Sequence, residues 1–485
     1  MIVGGSDQIL IVVLFYFLIT MIVGLLPFGK KRVDSLDNFH SATKGISDWC
    51  FVFCVLSTIY TSSTWTGWVP LTTQIGIYGI YTTVYIAIAA FLYGIISPKV
   101  YDNAKESSIF SLGGYLEHQL HSHAINIFVS IVSIIVGAIW IVMELKSLGI
   151  IICAAFNYSI NFVSAVIMGL LVIVVYIIWG GMESAVWSAC LHGIIMIFGG
   201  IIISIMLVVY QYGSLSDFLL ILKNNADIVE LNYHNFSKMG DSSQWISNAI
   251  VSALGMVCLP QIFSRMVMGK SEHSQKKIAK WIGISALWCL SFVLIGYVAM
   301  IENIQVTHSS NLIFEIMALS DHTWVLYLTY IVMMAAAMGT LDITLFSLST
   351  TIITTFVSES KISESKYNKK NKYTYVTLSR IVIVIVAMLC MFIAIILDDN
   401  LTDMAINSYQ YICQIFPTLM YAAFSKNKNT TAAFCAMASG FTLTAVLEIS
   451  NISFIMTSGV WGLIVNAIII IANCAAAKKK RSHLC

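Results

Sequence analysis

The residues best suited to chemistry lie between Met333 and Thr350, in the run MMAAAMGTLDITLFSLST. Small residues give way there to a lone acid, Asp342, and to the hydroxyls Thr344, Ser347, Ser349 and Thr350. An acid in an apolar segment is costly unless it faces a partner or a cavity. Hydroxyls and backbone carbonyls are the ligands that hard cations take, and small residues let helices approach closely. The chemistry implied is cation binding, with tight helix packing around a neutral Asp as the plainer reading. Four further polar residues fall in apolar segments: Glu144, Lys146, His192 and Arg265. Glu144 and Lys146 are two apart, so on a helix they point to different faces, and one is expected to contact solute or Asp342. His192 is a candidate for a proton relay with Asp342. Arg265 is expected in a structural ion pair or a gate.

The elements that carry these residues must be membrane helices. The chain has 485 residues, of which 58% are hydrophobic and 10% charged, with a mean hydropathy of +0.86. A soluble domain carries roughly a quarter charged residues, so a large soluble domain is excluded. The net charge of +2 gives no reason to expect nucleic acid, and the eleven cysteines form no metal-binding or CxxC pattern. No nucleophile constellation points to an enzyme, and no cofactor is implied. The first apolar segment lacks a basic flank and a small-residue cleavage site, so it is read as a retained helix.

A spanning helix needs about 20 apolar residues. Thirteen segments meet that rule, near 8–28, 46–74, 77–97, 124–152, 158–178, 186–212, 244–268, 281–302, 323–357, 378–397, 403–424, 429–449 and 453–476. With the N-terminus outside, only Lys223 and Lys238 among the loop basic residues lie outside, and the tail Lys478 to Arg481 is cytoplasmic. The expected location is the inner or plasma membrane. The external loop 213–243 carries an apolar patch, Phe218 to Leu222, read as a short surface helix. Segments two and seven look interrupted, the first around Gly67 and Pro70, the second around Gly255 and Pro260. Paired broken helices five segments apart point to a transporter built from inverted repeats, with its site at the breaks. The expected division is a peripheral helix and loop over 1–45, a first repeat over 46–212, the loop 213–243, a second repeat over 244–424, and peripheral helices with a basic tail over 425–485.

Four motifs give the chain a resemblance to the sodium:solute symporters, carriers of proline, pantothenate, sialic acid and sugars. Gly180-Gly181-Met182 with Trp187-Ser188 is similar to the family's GG-(L/M)-x-A-V-x-W-T-D-x-x-Q. Pro260-Gln261-Ile262 with Arg265 resembles Q-P-H-I-x-x-R. Ala335 to Leu341, followed by Ser347-Leu348-Ser349-Thr350, resembles A-A-x-M-S-T-L-S-S-x-L-N-S-x-S-T. Pro417 with Leu419, then Phe424-Ser425-Lys426, is similar to P-x-L-L-G-L-F-W-K-R.

The resemblance implies an all-α integral membrane fold, a five-plus-five inverted repeat of the leucine-transporter type with two broken helices. It implies secondary active uptake of a small organic solute by alternating access, coupled to sodium and carried out by a monomer in the bilayer. It implies a sodium site made by the carbonyls of Ser57, Tyr60 and Ala336 with the side chains at 339 and 340. Thr340 keeps the hydroxyl, whereas Gly339 stands where the family usually has Ser. The family acid after Trp-Thr is Ala189 here, its glutamine is His192, and Asp342 occupies a position that is normally Ser. Residues 339 and 342 share a helix face. The carboxylate is therefore expected to have moved from segment six to segment nine, where it serves cation release. A carboxyl shielded from water can also carry a proton, so a proton-coupled symporter using Asp342 is the alternative; an uncoupled carrier or a sensor is another. Solute-binding candidates at the breaks and on segment eleven are Ser62, Ser63, Thr64, Trp65, Ser252, Met256, Gln261, Tyr409 and Gln410.

Overall fold

The computed structural model describes residues 6–25, 47–105, 109–225, 242–269, 271–304, 306, 308–320, 322–356, 369–397, 400–450, 452 and 455–482. Lys30, Lys31, Arg32, Lys44 and Lys238, on which the expected orientation partly rests, lie outside them. The described residues form helices and no strand.

Helix α1 is Ser6–Leu25. The first broken span begins with α2, Asp48–Ile59, capped by Ser47 Oγ accepting from Cys50 N at 3.1 Å. It leaves helical geometry at Tyr60 (φ −98°, ψ 119°). It resumes as a π-helical turn over Thr64–Trp68 and then as α3, Val69–Ile75. The break is thus at 60–63, upstream of the expected Gly67 and Pro70. Proline is well tolerated in a first helical turn, and Pro70 sits there in α3. At the break the Thr61 hydroxyl bonds those of Ser63 and Thr64, and Ser62 N donates to Glu144 Oε2 in place of a helical carbonyl.

Helices α4 (Tyr81–Ala104), α5 (Leu112–Leu120) and α6 (His123–Ala155) follow. Helix α7 runs from Phe162 to Tyr212, 51 residues. A straight helix of that length would be about 75 Å, more than twice a bilayer core. It turns at Gly181 (φ 63°, ψ −148°), a conformation that L side chains rarely adopt, and so holds both expected segments 158–178 and 186–212. The apolar patch Phe218 to Leu222 folds as α8, Leu215–Asn224, but Phe218 is inserted against Tyr212 and fully buried.

The second broken span is α9 (Ser242–Cys258) and α10 (Pro260–Val267), bent by 51° at Leu259 (φ −58°, ψ 135°). Here the break falls where Pro260 predicts it, with the proline opening the second half. Then come α11 (Glu272–Ser285), α12 (Leu290–Ile301), α13 (Leu312–Ala318), α14 (Thr323–Phe356) and α15 (Lys369–Ile396). Helices α16 (Leu401–Ile412), α17 (Phe416–Phe424), α18 (Thr430–Ile449) and α19 (Ser458–Ser482) complete the chain.

Among the described residues, nine helical stretches are long and apolar enough to cross a bilayer, or ten with the bent pair, by length and composition alone. Helix α14 is the axis of the molecule. Every residue from Val332 to Thr351 is buried, chiefly against α6 and α7, and Asp342 is fully enclosed. By contrast α15 exposes Ile385, Met388, Leu389, Phe392 and Ile396, an apolar stripe of helical period suited to lipid.

Candidate functional site

The hydroxyls of α14 divide by partner. Thr344 and Thr350 donate to carbonyls of their own helix, Thr340 O at 2.7 Å and Phe346 O at 2.9 Å. Ser349 donates to Ser379 O of α15 at 3.1 Å, and Ser347 to Ser264 Oγ of α10 at 3.3 Å. Thr340 reaches across to the first break. Its Oγ1 lies 3.2 Å from Ser57 O and 3.3 Å from Ala336 O. Helix α2 ends before a helical amide can take up the Ser57 carbonyl, so that oxygen is left to α14. Tyr60 stands at the point where α2 unwinds, its phenol donating to Ser285 Oγ at 2.8 Å. Three of the expected cation-ligand oxygens therefore converge.

Gly339 lies on the same face. A Cβ there would come 3.0 Å from Ser57 Cβ, 3.1 Å from His192 Cβ and 3.3 Å from Ser57 Oγ. The glycine lets α2, α7 and α14 meet, and the Ser57 hydroxyl stands where a side chain at 339 would enter. That hydroxyl donates to Cys54 O at 2.9 Å.

Asp342 is fully buried and held by α7 on both sides of its kink. Tyr176 OH donates to Oδ1, and Ser188 Oγ donates to Oδ2 at 2.5 Å. His192 Nε2 lies 3.9 Å from Oδ2, and the other ring nitrogen, Nδ1, is 2.5 Å from Tyr16 OH of α1. The sequence gives little hint of Tyr16 or Tyr176, each a single polar atom in an apolar run, and α1 was expected to be peripheral. The adjacent Ala189 is buried beside Ser188.

The remaining charged candidates separate. Glu144 does not contact Asp342; its Oε2 accepts from Ser62 N at 3.1 Å and Ser62 Oγ at 2.6 Å. Lys146, 9% exposed, donates to Leu397 O at 2.6 Å. Arg265 is fully buried with no acid within ion-pair distance among the described residues, and Nη1 approaches only Met268 Sδ at 3.8 Å.

A small cavity, about the size of one water, lies at the first break. Of the nine solute candidates, Ser63, Thr64 and Tyr409 line it. Trp65 is fully buried edge-on against Trp288, 5.4 Å between centroids. Ser252 pairs with Tyr81 OH at 2.6 Å, and Gln410 with Asn248 Oδ1 at 2.7 Å and Gly459 N at 2.8 Å. Met256 is buried, as is Gln261, whose amide has no hydrogen-bond partner among the described residues. The cavity walls that the sequence did not single out include four aromatics, Trp68, Tyr85, Trp140 and Phe292.

A model of the sodium:solute symporter family matches residues 39–440. The chain belongs to that family: it is a multi-pass membrane transporter of small solutes. It is 21% identical over 446 residues to the uncharacterized symporter YhjB of Bacillus subtilis (strain 168), covering 89% of this chain and 87% of that protein. To the uncharacterized symporter YodF of the same organism it is 20% identical, covering 96% and 93%. Its fold is similar to the substrate-bound outward-open state of a Na+-coupled sialic acid symporter, with a TM-score of 0.77, 15% identity, and 96% and 95% of the two chains covered. It is also similar to Mhp1, a nucleobase-cation-symport-1 family transporter, in a closed conformation, with a TM-score of 0.57, 11% identity, and 93% and 96% covered. The fold is that of the leucine-transporter type, with the two broken spans at 60–63 and 259.

Proposed function

We propose that this symporter couples the inward movement of sodium to uptake of a small organic solute by alternating access. The observation that carries the reading is the convergence of Thr340 Oγ1, Ser57 O and Ala336 O where α2 unwinds against α14. Sodium takes these oxygens with the carbonyl of Tyr60, and the Ser57 hydroxyl supplies the oxygen that Gly339 lacks. Binding pulls the unwound end of α2 onto α14, and solute then enters the cavity lined by Ser63, Thr64 and Tyr409. Asp342, one turn further toward the cytoplasm, receives the ion as the two repeats (46–212 and 244–424) rock. Support for that step is the Ser188 hydroxyl, which turns to Asp342 from beside Ala189. The protein acts as a monomer in the inner or plasma membrane, N-terminus outside and C-terminus cytoplasmic.

The row Tyr16, His192, Asp342 favours a second reading, in which a proton is the coupling ion and passes along those three groups. Thermal unfolding of the purified protein in sodium, potassium and choline chlorides separates the two. Sodium-selective stabilisation that Thr340→Ala removes supports sodium. Stabilisation indifferent to the cation, with uptake into proteoliposomes driven by a proton gradient alone, selects the second reading. Uptake that neither gradient concentrates would make the protein an uncoupled carrier.

A further inference from the structure

Glu144 has no part in the sodium path. It lies in the middle of α6 and is fully buried. Ser62 N and Oγ fix its Oε2 at the break of the first span. Oε1 has no hydrogen-bond partner among the described residues, and the Thr61 hydroxyl and Ser63 amide approach the carboxyl as a whole. No Lys, Arg or His forms an ion pair with it among the described residues. A buried acid held in place with one oxygen unused costs several kcal/mol unless something cationic or a proton completes it.

The cavity next to it indicates what that is. Thr61 and Ser63, on either side of Ser62, line the cavity, as does Trp140, one turn from Glu144 on α6. Its walls include the rings of Tyr60, Trp68, Tyr85, Trp140, Phe292 and Tyr409, and no charged side chain lines it. Aromatic faces attract cations, most strongly where water is excluded. Independently, Trp140 Nε1 is buried with no acceptor among the described residues. Aromatic walls, a fixed carboxyl beside them and an unused N–H donor match one class of molecule.

Resting on the transport reading above, we propose that the solute carries a cationic amine, which Glu144 recognises at the broken span, together with an acceptor oxygen for Trp140. Glu144 does not itself line the cavity; Thr61 and Ser63, which do, flank the Ser62 that holds its carboxyl, and the carboxyl is reached as the cavity opens. The acid thus fixes the charge class of the solute, while the sodium oxygens at Ser57, Ala336 and Thr340 sit on the α14 side of the same break.

The test is binding by the purified protein, followed by thermal shift and tryptophan fluorescence. The probes are ethanolamine and phenylethylamine, each beside the alcohol that replaces its amine. The expected result is that the amines bind at least about thirtyfold more tightly than the matched alcohols, the scale set by a buried charge pair. Glu144→Gln keeps an acceptor for Ser62 and so keeps the fold, verified by its melting profile and gel filtration; it should erase that preference. Glu144→Asp should retain part of it. Equal binding of amine and alcohol, no response to either amine at saturation, or an amine preference that survives in Glu144→Gln overturns the proposal. So does a Glu144→Gln protein whose only loss is in sodium affinity. A wild type that answers the amines but not sodium overturns the sodium reading and leaves this one standing.

Discussion

Exchange of the hydroxyl between positions 57 and 339 is a direct perturbation of the proposed cation site. A Cβ at 339 falls 3.0 Å from Ser57 Cβ, 3.1 Å from His192 Cβ and 3.3 Å from Ser57 Oγ. Gly339→Ser therefore overpacks the junction of α2, α7 and α14, at a cost of about 1–3 kcal/mol. Ser57→Ala removes one oxygen from the ion. A bond to a charged group is worth about 1.5–3 kcal/mol, so sodium affinity should fall roughly tenfold or more. The double variant restores a hydroxyl from the α14 side and removes the 3.3 Å contact, leaving the neighbouring Cβ atoms to shift by a few tenths of an ångström. It should recover most of the lost affinity. In a double-mutant cycle the coupling between the two positions should reach about 1 kcal/mol or more, as expected for residues in contact. The assay is sodium titration monitored by thermal unfolding, with potassium held as the balancing ion. Additive losses in the double variant, or an unchanged affinity in Ser57→Ala, would refute the argument.

Other expectations follow from the same geometry. Asp342→Asn should reduce sodium-driven accumulation in proteoliposomes by at least about tenfold while sodium still stabilises the protein; full accumulation would remove Asp342 from the release path. Tyr16→Phe deletes the hydroxyl at His192 Nδ1 and should leave sodium-driven uptake intact, whereas a loss of proton-driven uptake in this variant would favour the proton reading. Gly181→Ala places a side chain at φ 63° and should destabilise the kink of α7 by about 1–2 kcal/mol, read as a lowered melting temperature; an unchanged one would mean the turn relaxes freely.

Most of the architecture was legible because the bilayer imposes length and composition on each span. The second break was read correctly from Pro260, whose ring cannot continue a helix begun upstream. The first was misplaced by Pro70 for the same reason in reverse: a proline in a first helical turn starts a helix as readily as it ends one. The run of hydroxyls at 61–64 was the better signal. Asp342 was conspicuous as a lone acid, but its partners were not. Tyr176, which donates to it, is 166 residues away, and Tyr16 reaches it only through His192, 176 residues from Tyr16; no local pattern foretells such pairings. Of the aromatic lining, Tyr409 was read from the sequence, but Trp68, Tyr85, Trp140 and Phe292 were not, since single aromatics in apolar helices look alike whether they face lipid, core or solute.

Transport as proposed depends on sodium being bound by α2 and α14 at the first break. Equilibrium binding of radiolabelled sodium to the purified protein tests it most directly. Saturable binding is expected, which potassium does not displace and which Thr340→Ala weakens by roughly tenfold or more. Absence of saturable binding, or full binding in a folded Thr340→Ala protein, would contradict it.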